Sequence, residues 1–329
     1  MPFESNKKKT NNFLNNLQTI LILKFIFLFL LINSFNLNYN YNNSKVCLCT
    51  LGKNENLYAK EFVEHYWKYG VDKIIIYDNN DINGENFNDV IFDYIKKKFV
   101  EIINYRGKKK IQMKILKDCY INNNKYYNWL IFYDMDEFIY LKNYSNIKKF
   151  LNEKKFNSCK IIHLNWVIHS DNNQLYYVNK TLKERFPKVK YIYKKLAVKS
   201  ILRGNIKNIK IRNNHIINKR YETCNGFGQK MYLKKNYIIH PDYKYYYIDH
   251  YYYKSVEEFI NKIYRGSCFY GDINLIKLRR IVSFFRYNSI SSEKIKIFKN
   301  KTNLNLTKIK KYIKKYKKNK FKYFDKLFN

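Results

Sequence analysis

The chain reads as an α/β protein with a mostly parallel sheet flanked by helices. Three observations predict it: apolar runs of strand length alternate with helical patterns between residues 46 and 133, three of those runs end in polar residues, and internal repeats are absent. The first run, Val46 to Leu51, is continuously apolar, as a strand buried on both faces requires. A helical stretch from Tyr58 to Tyr69 follows, then a strand from Lys73 to Tyr77 that ends in Asp78. Asn83 and Gly84 mark a polar turn before a helix over Val90 to Lys97, a strand over Val100 to Asn104, a helix from about Lys110 to Tyr120, and a strand over Trp129 to Tyr133. Parallel sheets bind ligands beyond the carboxyl ends of their strands, so Leu51 to Asn54, Tyr77 to Asn80 and Asp134 to Glu137 should face one crevice.

Beyond Phe150 the pattern is weaker. It holds a strand over Lys160 to Trp166, a polar loop over His169 to Asn173, a Tyr-rich run from Tyr243 to Tyr253, and a helix over Val256 to Tyr264. From Lys294 to Asn329 there are fourteen Lys and one acid, Asp325, with Ile, Tyr and Phe at near-helical spacing. This predicts a basic helical tail over 292–329, packed by its aromatic stripe.

Composition bounds the function classes. With 46% apolar residues the 329-residue chain is too apolar to be disordered, and 9 Gly with 3 Pro exclude collagen-like or linker-rich architectures. The net charge of +38 would suit an anionic partner, but the chain is equally rich in Asn, Ile, Tyr and Phe, the residues of AT-rich codons. No patterned nucleic-acid module occurs, so no specific nucleic-acid partner is expected. Six scattered cysteines lack the paired spacing of a zinc site and leave any disulfide pairing open. Lys7, Lys8 and Lys9 precede an apolar stretch from Ile20 to Ile32 broken by Lys24. Its thirteen residues span only about 20 Å as a helix, so a membrane span must recruit Phe13, Leu14 and Leu17. We expect a cytosolic basic segment over 1–19, a signal-anchor helix over 20–37 and a stem over 38–45. The rest of a single-pass type II membrane protein would then lie in the lumen, that of the Golgi or ER if the source is eukaryotic. Five glycosylation sequons, starting at Asn42, Asn143, Asn179, Asn300 and Asn305, suit that placement but carry little weight in so Asn-rich a chain.

The densest chemistry is Asp134-Met135-Asp136-Glu137-Phe138, directly after an apolar strand. Three carboxylates in four positions repel one another unless a cation lies between them. In extended backbone residues i and i+2 share a side, so Asp134 and Asp136 are expected to hold Mn²⁺ or Mg²⁺ jointly, with Glu137 facing elsewhere. Such a metal binds a diphosphate and stabilises its departure. Nucleotide-sugar transfer, nucleotidyl transfer and metal-dependent nucleic-acid cleavage all fit. A non-catalytic membrane-anchored binding protein of the same fold is a further alternative. Asp78 and Asn79, at another strand end, are positioned to read a base or ribose.

These residues resemble glycosyltransferase family 92. Gly52-Lys53-Asn54-Glu55 resembles its K-N-E segment, Glu61 to Tyr66 its E-W-I-x-x-H, and Tyr69-Gly70-Val71-Asp72 its L-G-V-D. Ile76-Tyr77-Asp78-Asn79 is similar to its Y-D-N strand end. Gln112, Asp118, Cys119, Trp129 and Asp134 to Phe138 resemble the block closing in D-x-D-E-F. Trp166, Ser170, Arg185-Phe186, Lys199-Ser200 and His215 follow in order. His250-Tyr251, Lys254-Ser255, Glu257-Glu258-Phe259, Lys262 and Arg265-Gly266 are similar to its H-Y-x-x-K-S-x-E-E-F ending. The resemblance runs from Val46 to about Gly271. It departs at Phe62, where the family has Trp, and at Ile168 to Asn172, a reduced F-G-S-x-G loop.

The resemblance implies a GT-A-like, Rossmann-type domain over 46–291 and an inverting transfer of a hexose, galactose foremost, from a UDP-sugar to a glycan hydroxyl with Mn²⁺ or Mg²⁺. Asn54, Glu55, Asp78, Asn79 and Gln112 would bind the donor, and Lys254 and Arg265 would clamp its diphosphate. His215 or His250 would add an imidazole to Asp134 and Asp136 on the metal. Glu184, Asp171 and Glu222 are the candidates for the base that takes the acceptor's proton.

Overall fold

The computed structural model describes residues 22–27, 44–109, 111–190, 196–207, 209, 211, 221–231, 237–238, 241–265, 280–281, 283–285, 287–289 and 291–302. The chain divides into two units, 1–44 and 45–329. In the first, residues 22–27 are helical and exposed. No helix among the described residues is long and apolar enough to cross a membrane.

In the second unit β1 (Val46–Gly52), β2 (Lys73–Asp78), β3 (Val100–Asn104) and β4 (Trp129–Phe132) form a parallel block in the order β3-β2-β1-β4. Alternation along these strands sorts their side chains onto two faces. Val46, Leu48, Ile74, Ile76 and Ile131 bury against α1 (Asn56–Lys68) and α2 (Asn88–Lys96). Cys47, Cys49, Ile75, Tyr77, Leu130 and Phe132 bury against α3 (Gln112–Asn123). Helices on both faces explain why these strands read as unbroken apolar runs. At the end of β1, a Cβ on Gly52 would lie 2.4 Å from the Phe87 ring, so only glycine lets the chain leave the sheet there.

The expectation of a mostly parallel sheet is corrected beyond β4. The sheet continues through β8 (Leu196–Arg203), β6 (Ile161–His169), β11 (Tyr246–His250) and β5 (Glu137–Leu141), with β7 (Val189–Lys190), β9 (Thr223–Asn225) and β10 (Tyr237–Ile238) alongside. β8 runs antiparallel to both β4 and β6, and β5 antiparallel to β11, whereas β6 and β11 are parallel. The sheet is therefore mixed. Antiparallel neighbours need no crossover helix, so this half lacks the strand–helix rhythm that made the first half legible. Short helices α4 (Ile147–Leu151) and α5 (Leu182–Arg185) and a 3₁₀ turn at Lys154–Phe156 fill the connections.

Among the described residues, two disulfides tie the unit together. Cys49 to Cys119 joins β1 to α3, and Cys159 to Cys224 joins the entry of β6 to β9. Cys47 is free and buried, and Cys268 lies outside the described residues.

At the chain's end, α6 (Val256–Tyr264) packs on α7 (Ser292–Thr302) through Phe259, Phe284 and Phe298. α7 is the described beginning of the expected basic tail, and it behaves as a helix packed by aromatic residues; residues 303–329 lie outside the described residues.

His65 on α1 shows what the core demands of a titratable group. Its ring lies against Tyr66, Tyr69 and Phe138, with Nε2 3.1 Å from the Ile139 carbonyl oxygen. Burial depresses its pKa to about 4, only partly offset by that carbonyl. The unfolded chain, titrating near 6.5, binds the proton first, so stability is complete above that pH and drains away as pH falls toward 4. The shift corresponds to about 3 kcal/mol. Urea titrations at pH 7 and pH 4.5 should show this component in the wild type and lose it in His65→Gln. Equal acid sensitivity of the two proteins would refute the assignment.

Candidate active site

The acidic segment does not continue β4 as extended chain. After Phe132 it turns, with the Glu137 N–H donating to the Asp134 carbonyl oxygen at 3.0 Å, before β5 begins at Glu137. The i, i+2 rule holds only for a strand, so it does not set how Asp134 and Asp136 face here. Asp134 stays 41% exposed at its side chain, and its Oδ2 accepts from Lys199 Nζ at 2.7 Å. Asp136 and Glu137 are buried, and they converge on His250 at the end of β11. His250 Nε2 lies 3.5 Å from Asp136 Oδ1 and 3.9 Å from Glu137 Oε1. One ligand atom from each of the three lies within 4.8 Å of the others.

Electrostatics shape this cluster. Burial pushes the Asp136 carboxyl up, but the Lys262 ammonium at 2.5 Å from Oδ2, then His250 and Lys254, hold it well below the ordinary carboxylate range. Burial raises Glu137 well above its usual value despite Lys199 at 3.2 Å. His250 is lowered by burial, with Asp136 opposing, which favours the neutral imidazole that ligates metals. The donor set of two carboxylates and one imidazole suits a divalent cation. Glu137 Oε1 and His250 Nδ1 are buried without a hydrogen-bond partner among the described residues, the kind of orphaned atoms that a metal and its surroundings would satisfy. The residues present thus fit a metal, with Glu137 joining Asp136 and His250.

Beside the cluster opens a cavity of about 400 Å³ between the end of β1 and one face of α6. Four of the expected donor-binding residues line it: Asn54, Glu55, Lys254 and Arg265. Asn54 takes a left-handed conformation (φ 51°), and its N–H donates to Asn80 Oδ1 at 2.7 Å. Glu55 pairs with Arg265, whose Nη1 also donates to the Lys53 carbonyl oxygen at 2.8 Å. Lys254 is left-handed as well (φ 54°), a strained choice for a long side chain. That turn lays its ammonium 3.8 Å over the Tyr58 ring and 3.8 Å from Glu55 Oε2.

The other expected residues sit elsewhere. Asp78 is buried at the end of β2, where its carboxylate holds Arg106 at 3.1 Å and accepts from the Asn80 N–H. Asn79 Nδ2 donates to the Tyr105 and Lys108 carbonyl oxygens, pinning the segment after β3. Gln112, at the start of α3, shares a small void of about 10 Å³ with Asp134. Glu184 is exposed and closes a capping box with Thr181 on α5. Asp171 is buried, paired with Lys294 of α7, and its N–H donates to Asn288 Oδ1. Neither carboxylate lines the cavity. Glu222 is exposed, with its carbonyl oxygen accepting from Lys160 and Ile161. His215 lies outside the described residues.

Sequence reasoning gave no role to Lys199, Glu258 or Lys262, and turned Glu137 away from the metal. Glu258 caps α6 through Ser255 and carries both the Arg185 guanidinium and the Tyr58 hydroxyl. The signal was present: Ser255-x-x-Glu258 is a capping box, and residues 258, 261, 262 and 265 fall on one helical face.

The chain matches the sequence pattern of glycosyltransferase family 92 over residues 42–267. A family 92 protein of Ricinus communis is 29% identical over 103 residues, covering 31% of this chain and 18% of that protein, so this chain matches less than a fifth of its relative's length. Among solved structures, the mannosyltransferase PcManGT of Pyrobaculum calidifontis in complex with GDP-Man and Mn²⁺ shares 6% identity. It covers 77% of this chain and 71% of its own, with a TM-score of 0.38. S. aureus TarS 1-349 in complex with UDP-GlcNAc shares 12% identity over 73% of this chain and 71% of its own, with a TM-score of 0.33. The match over residues 42–267 takes in both the cavity and the acidic cluster, and the chain belongs to glycosyltransferase family 92.

Proposed function

We propose that this protein is a metal-dependent glycosyltransferase that moves a hexose, galactose foremost, from a UDP-sugar to a glycan hydroxyl. The observation that carries the reading is the convergence of buried Asp136, Glu137 and His250 beside a cavity lined by Lys254, Lys262 and Arg265. Asp136, Glu137 and His250 would hold Mn²⁺ or Mg²⁺, with Asp134 adjacent. When bound, the ion would offset the charge on the departing diphosphate.

The chain's own residues would do the rest. Lys254 and Arg265 reach into the cavity from the two ends of α6 and would grip the diphosphate, while Asn54 and Glu55 would position the nucleoside. Asp78 and Asn79 support that wall through Arg106 and the backbone after β3, and Asp78 would meet the uridine only if Arg106 yields. Glu184, whose exposed carboxylate accepts from Thr181, would serve as the base. Asp171, committed to Lys294, would have to give up a buried ion pair to serve.

The placement proposed is that of a single-pass type II membrane protein anchored by residues 20–37, with its catalytic domain over 46–291 in an oxidising lumen. Two disulfides support this compartment, since such bonds persist where thiols are not kept reduced.

A panel of UDP-sugars incubated with the protein should release UDP only with Mn²⁺ or Mg²⁺, fastest from UDP-galactose, and EDTA should stop it. UDP release that ignores chelation would remove the metal from the mechanism. Cleavage of DNA or RNA under the same conditions would favour the nuclease alternative.

A further inference from the structure

Lys262 belongs at once to the carboxylate cluster and to the cavity. Its ammonium donates to Asp136 Oδ2 at 2.5 Å and to the Tyr252 carbonyl oxygen at 3.1 Å, and lies 3.8 Å over the Tyr252 ring. The same side chain lines the cavity beside Lys254 and Arg265. We propose that Lys262 is an exchangeable counterion, neutralising Asp136 while no divalent cation is bound and turning into the cavity to meet the donor's diphosphate once one is. This deepens the function proposed above and rests on it.

Asp136 and Glu137 are adjacent buried carboxylates, and an uncompensated buried charge is expensive, so some cation must stand by when no metal is present. Lys199 serves Glu137 and Asp134, which leaves Lys262 for Asp136. A divalent ion on Asp136 would take over that role and repel an ammonium on the same carboxylate. Lysine is suited to leave, being a point charge on a flexible stem with no fixed fork to break. The carboxylates that line its destination already have partners: Glu55 is engaged by Arg265, Glu258 by Arg185 and Tyr58, Asp81 by Lys53, and Glu85 accepts from the Asn56 N–H. A diphosphate entering beside Lys254 and Arg265 would meet the Lys262 ammonium there. Metal entry would thus prepare the donor site, a coupling that must run equally in both directions.

Lys262→Met in the full chain tests this with two binding measurements. Without nucleotide, calorimetric Mn²⁺ affinity should rise, on the order of threefold, because the competing ammonium is gone. With saturating Mn²⁺, UDP affinity should fall, on the order of tenfold, and Lys262→Arg should restore part of it. Acylation footprinting of the wild type should show Lys262 labelled more with Mn²⁺ alone and protected again when UDP is added. Should the Met variant fail to fold, Lys262→Gln and the footprint carry the same test. Unchanged or weaker Mn²⁺ binding in the variant, or a footprint insensitive to Mn²⁺, overturns the exchange while leaving a Mn²⁺-dependent transferase intact. A wild type that binds no Mn²⁺ overturns both.

Discussion

Asp136→Asn is expected to lower sugar transfer on the order of a thousandfold and to abolish the Mn²⁺-dependent rise in melting temperature. The amide keeps the shape of the side chain and removes the charge that a divalent cation needs. The fold should survive, because Lys262 is on the wall of an open cavity and can carry its ammonium toward solvent instead of staying buried and unpaired. Asp134→Asn should be milder, since that carboxylate is partly exposed and already matched by Lys199. Melting curves with and without Mn²⁺, followed by UDP-release assays, check both. A thermal shift that persists in Asp136→Asn would place the ion elsewhere.

The second large effect belongs to stability. Glu258→Gln and Arg185→Met should each cost about 3–5 kcal/mol, the usual penalty for removing one member of a buried ion pair. Glu258 accepts from the Arg185 guanidinium through both oxygens, from the Tyr58 hydroxyl, and from the Ser255 N–H at 3.1 Å. Desolvation raises its pKa, yet the hydrogen bonds from Arg185, Ser255 and Tyr58 hold the carboxyl below its ordinary value. These bonds also join α5 and α1 to the start of α6, the helix that presents Lys262 to the cavity. Denaturant midpoints should therefore fall in both variants, and the folded fraction that remains should bind UDP less well. A loss below about 1 kcal/mol would show that the network is replaceable by water.

The first half of the fold is legible because buried parallel strands and their crossover helices impose two different periods on the sequence. Val100–Asn104 appears with the bounds expected of it. The second half is legible only in part: the helix Val256–Tyr264 has its expected bounds, but β8 takes its place by pairing antiparallel with β4 and β6, partners distant in sequence, and its Lys199-Ser200 carries no sign of the burial it meets. Short capped helices such as Leu182–Arg185 fall below the length at which periodicity speaks, although Thr181-x-x-Glu184 marks the cap.

The candidate site divides the same way. The order of residues alone determined the family resemblance, the alternating α/β start and the acidic cluster near a strand end. Tertiary structure alone decided which carboxylates meet. A single turn after Phe132 gives Asp134 to Lys199 and delivers Asp136 and Glu137 to His250, more than a hundred residues away. Residue types constrain what a side chain can bind, but backbone direction and strand register set what it faces, and those are settled only when the whole sheet is assembled.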